Sequence, residues 1–481
     1  MFNRMIKKSF ITVLLLVLGH ACFSQGYAIH LTLKPFSNSL VYLGYHYGKI
    51  KAVADSIVLD ANAEGDFKGK EKLPQGVYFI VSSKKEILFE LLIGTQQQFS
   101  VYADTTHMPE SIRFTGSAEN NEFQEYTTFM NRKGKGITAL QSQFAQARSQ
   151  KDSAGIREKL RKENEDVKAY REKLEKKDSG SLLSCLLLAL REPVVPAAPA
   201  GSKEKPDQFA YRYFKNHYWD DISFTDERLI RTPVFEPKLD RYYKDLVSPA
   251  PDSINREIDH MLLYSRANKE MFKYLLIHFV QQYINPEYMG QDAVFVHLFE
   301  KYINTGQADF FTEKYRKFVD DRAYSLMANL IGQPAPELTM TDTLGKKVSL
   351  YGVKADFILM CFWDPACSHC KETVPKVDSI LEAKWKKEGV KVFGVMVDGG
   401  RDNWTKFIQD HNLKDWIHVY QTTEQHDAEA AAGHPDYRQL YDVYQTPILY
   451  LLDKDKRIIA KKLTYQQVDE VLNLKLKKVN P

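Results

Sequence analysis

Two cysteines separated by two residues, Cys367-Ser368-His369-Cys370, are the side chains whose type and spacing point most directly to chemistry. A thiol pair at this spacing can close a small disulfide ring and reopen it, which is the step that thiol–disulfide exchange requires. Just before the motif, Asp356-Phe357-Ile358-Leu359-Met360-Cys361-Phe362-Trp363 is a continuous apolar run suited to the buried centre of a sheet. Just after it, Val374, Val377, Leu381 and Trp385 recur along one helical face. Cys367 is therefore expected at or just before a helix N-terminus. Unpaired backbone N–H groups and the helix dipole there stabilise a thiolate and draw its pKa from about 8.5 toward roughly 3.5–7.5. Cys367 becomes the nucleophile and Cys370, less than a turn further on, the resolving thiol. His369, inside the motif, stabilises the Cys367 thiolate, which favours the dithiol and makes the couple more oxidising. A zinc site would need a second C-x-x-C or a His pair, and no such partner accompanies this one, so no metal and no cofactor are expected.

Further elements must position the pair. Gln445-Thr446-Pro447 stands at the mouth of the apolar strand Ile448-Leu449-Tyr450-Leu451-Leu452, where a cis peptide can turn the chain. Upstream, Ile331-Gly332-Gln333-Pro334-Ala335-Pro336 opens the module, and a turn at Leu344-Gly345 leads to a short strand. The Gly332-x-x-Ala335-Pro336 opening, Phe362-Trp363, C-x-x-C and Thr446-Pro447 together resemble the TlpA/ResA-like, AhpC/TSA-related branch of the thioredoxin superfamily. That resemblance implies an α/β thioredoxin-like fold and a redox-active Cys367–Cys370 disulfide. It also implies that Pro447 is a cis proline against the cysteines, with Thr446 offering backbone hydrogen bonds to an extended substrate, and that Trp363 and Asp364 support the site. Two departures bear on proton transfer. Cys361 stands where thioredoxins keep a buried Asp, and Thr373 where the ResA type keeps a buried Glu. Water, Glu372 or Asp364 is left to accept the Cys370 proton. Peroxiredoxins share the Ala-Pro opening but place Thr or Ser three residues before the reactive Cys. Asp364 holds that position here, and its charge disfavours both thiolate and peroxide binding.

The group it resembles implies protein disulfides as substrates and a membrane or envelope electron donor as partner, with reduction as the direction of transfer. The alternatives are a disulfide isomerase or oxidase, and a cell-surface binding protein with an accessory redox module. Arg4, Lys7 and Lys8 ahead of apolar Phe10–Leu18 read as a secretory signal over residues 1–24, placing the protein in the periplasm or cell envelope. The rival reading is lipidation at Cys22, which would tether the chain to a membrane. Of the five cysteines, Cys185 and Cys361 lie in apolar surroundings, so a disulfide scaffold is not expected.

A chain of 481 residues, 44% hydrophobic and 27% charged, divides into several folded domains. Its net charge of +4 is small, and the Lys runs are balanced by Glu and Asp, so no nucleic-acid partner is expected. Residues 25–117 read as a small antiparallel β domain, because Ile29, Leu31 and Leu33 alternate with polar neighbours and similar short runs follow. Residues 118–328 read as a helical domain and 329–481 as the thioredoxin-like one. In the helical stretch, Ile156, Leu160, Val167, Tyr170 and Leu174 form one apolar stripe, expected to pack on another helix of the same domain. Cys185 is read as a core residue. The segment Phe214–Phe235 resembles a helical domain that precedes thioredoxin modules in envelope proteins of Bacteroidetes. His217 with Asp220 and Asp221 is read as a polar cluster rather than a metal site. Gln421–Tyr437, with His426 and His434, is expected to be a long loop, read as a solvated insertion in preference to a cover for the active site.

Overall fold

The computed structural model describes residues 26–147 and 149–479, so the expected signal segment and Cys22 lie outside the described residues. By packing, the chain forms two units. One comprises the chain as far as Leu246 with Tyr264–Met271, and the other Val247–Leu263 with the chain from Phe272 onward.

In the first unit, eight strands form two four-stranded sheets. They are β1 (Ala28–Lys34), β2 (Leu40–Tyr47), β3 (Ile50–Val58), β4 (Glu64–Lys68), β5 (Gly76–Ser82), β6 (Ile87–Ile93), β7 (Gln98–Asp104) and β8 (Arg113–Thr115), in the orders β4-β1-β7-β8 and β3-β2-β5-β6. Ile29, Leu31 and Leu33 are fully buried while their neighbours are half-exposed, the period-two pattern read in the sequence. They share one core with Val41, Leu43, Tyr78, Ile80, Leu91 and Val101, so the sheets face each other as a sandwich. Pairing is antiparallel except between β1 and β7, which run parallel. The helices Ala118–Gln146 and Gln150–Lys177 run antiparallel, because Tyr126 meets Arg171 and Lys133 meets Glu163 and Asp166. Phe129 and Tyr170 lie 4.3 Å apart between ring centres, so the apolar stripe packs on a neighbouring helix as expected. Ser181 caps the apolar helix Leu182–Ala189 by accepting from the Ser184 N–H, and Cys185 is buried in it. His217 Nδ1 lies 2.6 Å from Asp220.

In the second unit, a seven-stranded sheet has the order β10-β9-β13-β12-β11-β14-β15. Its strands are β9 (Thr339–Asp342), β10 (Lys347–Ser349), β11 (Phe357–Trp363), β12 (Val390–Met396), β13 (Ile417–Tyr420), β14 (Ile448–Asp453) and β15 (Ile458–Lys461). Strand β11 is central, parallel to β12 and antiparallel to β14. Both faces of β11 are covered, so its sequence is apolar throughout. Leu359, Cys361 and Trp363 face a core shared with Val374, Val377 and Leu381 of the helix Ser368–Ala383, while Ile358, Met360 and Phe362 face the opposite core with Tyr441 and Tyr450.

Gln421–Tyr437 is not the expected long loop. Thr423–Ala431 is a helix, capped by the Thr422 hydroxyl, which accepts from the Gln425 N–H. Its Gln425 side chain contacts Thr339 O and Lys347, tying the segment to β9 and β10. Thr-Glu-Gln-His-Asp-Ala-Glu-Ala-Ala is rich in helix formers but has no apolar face, so hydrophobic periodicity gave no signal for it. Among the described residues no helix is long and apolar enough to cross a membrane.

Candidate active site

Strand β11 ends at Trp363, and the next seven residues carry the reactive groups. Cys367 occupies the N-cap position of the helix Ser368–Ala383, in extended backbone conformation (φ −71°, ψ 128°). It is half-buried, whereas Cys370, on the first turn, is wholly buried. Both are free thiols. The fold therefore exposes the first sulfur and covers the second, as the strand–motif–helix order required.

The two thiols are tuned in opposite directions. Burial alone would raise the Cys367 pKa, but hydrogen bonds from the Cys370 backbone, the Thr446 side chain, the Cys370 thiol and the His369 backbone outweigh it and bring the thiol below its ordinary value. Burial pushes the Cys370 thiol up to about 12, against a backbone hydrogen bond from Asp364. That bond runs from the Asp364 N–H to Cys370 Sγ over 3.4 Å. Of the two thiols Cys367 therefore ionises first, while the proton stays on Cys370.

The 446–447 peptide is cis, and the Thr446 carbonyl accepts from Cys367 Sγ at 3.4 Å. The structure thus places the Thr446 carbonyl, at the cis peptide to Pro447, against the first cysteine. Trp363 is wholly buried, its ring tilted by 56° against Phe407 with ring centres 5.1 Å apart, and its carbonyl accepts from Val397 N–H at 2.8 Å. The tryptophan anchors the end of β11 rather than meeting solvent. The His369 side chain is exposed.

Asp364 does not point its carboxylate freely at the thiols. Its Oδ1 accepts from the Ala366 N–H at 2.6 Å and holds the loop that delivers Cys367. Glu372 is exposed and Thr373 half-exposed. Cys361 is wholly buried on the same face of the sheet as Cys370, and burial with the neighbouring Cys370 holds its thiol strongly protonated. Neither departure is repaired by another acid brought beside Cys370 in the hydrogen bonds of the described residues.

Two residues near the motif escaped the sequence reading. Gly399, at φ +89°, approaches the motif loop so closely that a Cβ on it would fall 2.4 Å from Asp364 Oδ1 and 2.8 Å from Pro365 Cγ. The Asp398-Gly399-Gly400 turn after β12 was the available signal, since paired glycines mark close backbone approach. His418, also unremarked, sits across the sheet near Trp363; burial lowers its pKa to about 4 and leaves the ring neutral.

Comparison with known proteins gives the following. Residues 331–461 match the model of the AhpC/TSA family, and residues 158–323 match a domain of unknown function, DUF5106. The thiol-disulfide oxidoreductase ResA of Bacillus cereus is 27% identical over 151 residues, which is 31% of this chain and 79% of that protein. ResA of Bacillus subtilis is 23% identical over 146 residues, 30% of this chain and 74% of that protein. A solved thioredoxin-like protein from Bacteroides caccae is 24% identical and covers 59% of this chain and 99% of its own, with a TM-score of 0.45. Residues 331–461 are thus an AhpC/TSA-related thiol–disulfide oxidoreductase domain of the thioredoxin superfamily, preceded in the chain by β and helical regions and carrying the spaced pair Cys367–Cys370.

Proposed function

We propose that the protein is an exported thiol–disulfide oxidoreductase of the TlpA/ResA-like group that reduces protein disulfides in the cell envelope. The observation that carries this reading is the opposite tuning of its two thiols, one half-exposed with a lowered pKa and one buried and pushed up to about 12. The Cys367 thiolate attacks one sulfur of a substrate disulfide; a mixed disulfide forms, and the other substrate sulfur leaves as a thiolate that takes up a proton. Cys370 then gives up its proton and attacks Cys367 Sγ. This closes the Cys367–Cys370 disulfide and releases the second substrate thiol, so two electrons pass to the substrate. An envelope dithiol donor restores the reduced pair. Export rests on the basic run Arg4–Lys8 ahead of apolar Phe10–Leu18.

Insulin-disulfide reduction by the full chain, with a chemical dithiol as electron source, tests the reading. Wild type should accelerate the reaction and Cys367→Ala should fall to the uncatalysed rate; a folded Cys367→Ala protein as active as wild type would refute it.

A further inference from the structure

The loop that carries the cis peptide is also one wall of a cleft. Tyr444 and Gln445, immediately before Thr446, line it, with Ile448 as its buried floor. The facing wall is the helix Glu313–Met327, which contributes Phe318. The cleft has a volume of about 420 Å³, room for a large side chain and the chain that bears it.

Its chemistry is apolar. Phe318 and Tyr444 are 49% and 74% exposed, so both rings are open to solvent. The charges around them are engaged with one another. Asp442 receives hydrogen bonds from Arg322 and Lys462 on its two oxygens, and Asp321 pairs with Lys317 at 3.0 Å. What the cleft offers a ligand is therefore ring surface, flanked by the amides of Asn285 and Gln445.

Continuity with the reactive sulfur identifies the occupant. Thr446 O touches Cys367 Sγ, and Tyr444 lies two residues earlier. The loop that lines the cleft therefore also touches the reactive sulfur, and two residues of an extended substrate chain span about 7 Å.

We propose that this cleft selects protein disulfides in which an aromatic or large aliphatic side chain lies two residues from the attacked cysteine, and that the helix Glu313–Met327 supplies half of that specificity. This rests on the thiol–disulfide reading above and deepens it. It also gives a task to Phe318, which lies outside the AhpC/TSA-matched residues and inside the segment matching the domain of unknown function.

The test is single-turnover reduction by the pre-reduced full chain, following glutathione release from peptides whose single cysteine is in mixed disulfide with glutathione. Phe-Gly-Cys is compared with Ser-Gly-Cys, and Cys-Gly-Phe with Cys-Gly-Ser. In at least one order the wild-type chain should prefer the Phe peptide about tenfold in second-order rate constant. Phe318→Ala and Tyr444→Ala should each bring that ratio down to about two or less, and Tyr444→Phe should retain it. Equal rates for Phe and Ser peptides in wild type, or a ratio that survives both alanine substitutions, would overturn the cleft. Hydroxyethyl disulfide separates the two levels: its reduction without peptide preference rejects only the cleft, whereas inertness toward it and every peptide rejects the exchange chemistry as well.

Discussion

A thiol attacks a disulfide only as its thiolate, so the sulfur that meets substrate is the one whose anion the fold stabilises. In this chain that is Cys367, at a helix N-cap with backbone N–H groups around it, while Cys370 is wrapped in the core beneath. Alkylation of the reduced chain with iodoacetamide across pH, read by mass spectrometry, reports the difference directly. The rate at Cys367 rises with pH as the thiol ionises and should be half-maximal below the ordinary thiol value of about 8.5. Cys370, pushed up to about 12, should stay unlabelled at neutral pH, as should buried Cys185, whose thiol is also pushed up to about 12. Equal labelling of Cys367 and Cys370 at pH 7 would contradict this ordering. The pair and its helix were legible in the sequence because spacing and local periodicity carry them. That positions 361 and 373 carry no acid was legible too, since Cys361 and Thr373 stand there. The commitment of Asp364 Oδ1 to the Ala366 N–H was not, since that depends on how the loop closes.

At the scale of elements, the motif loop is braced from outside by the turn after β12. Gly399 holds a backbone conformation that side chains rarely adopt and leaves no space for a Cβ against Asp364 and Pro365. Gly399→Ala should therefore cost about 1–3 kcal/mol in urea unfolding and slow disulfide reduction, by displacing the loop that presents Cys367. An unchanged midpoint with an unchanged rate would show that the brace is slack. The strands with clean alternation or long apolar runs, such as β1 and β11, were readable because burial imposes its period on the residues. The edge strand β3 was not, because its exposed Ile50, Val53 and Val58 carry no consistent inward face. The parallel pairing of β1 with β7 was also hidden, since the partners are separated by most of the β region and only tertiary packing joins them.

At the scale of the molecule, the redox sheet is not closed off where the AhpC/TSA match begins. In the second unit Lys461 on β15 is buried with its ammonium on Asp292 and on the Asn329 carbonyl, and Asp442 receives Arg322. Asp292, Arg322 and Asn329 all precede residue 331. Leaving such buried charges unpaired typically costs about 3–5 kcal/mol, so these residues ahead of the match are structural partners of the redox sheet. Sequence periodicity identified helices here but not this attachment, which rests on single charged residues spaced far along the chain. The whole chain is therefore the right object for testing the central claim, that Cys367 attacks and Cys370 resolves. The most direct measurement is peptide mapping by mass spectrometry of the full-length Cys370→Ala protein after reaction with a peptide disulfide. The account predicts a persistent mixed disulfide on Cys367 that wild type does not accumulate; an adduct on Cys361 or Cys185 instead, or none on the folded protein, would contradict it.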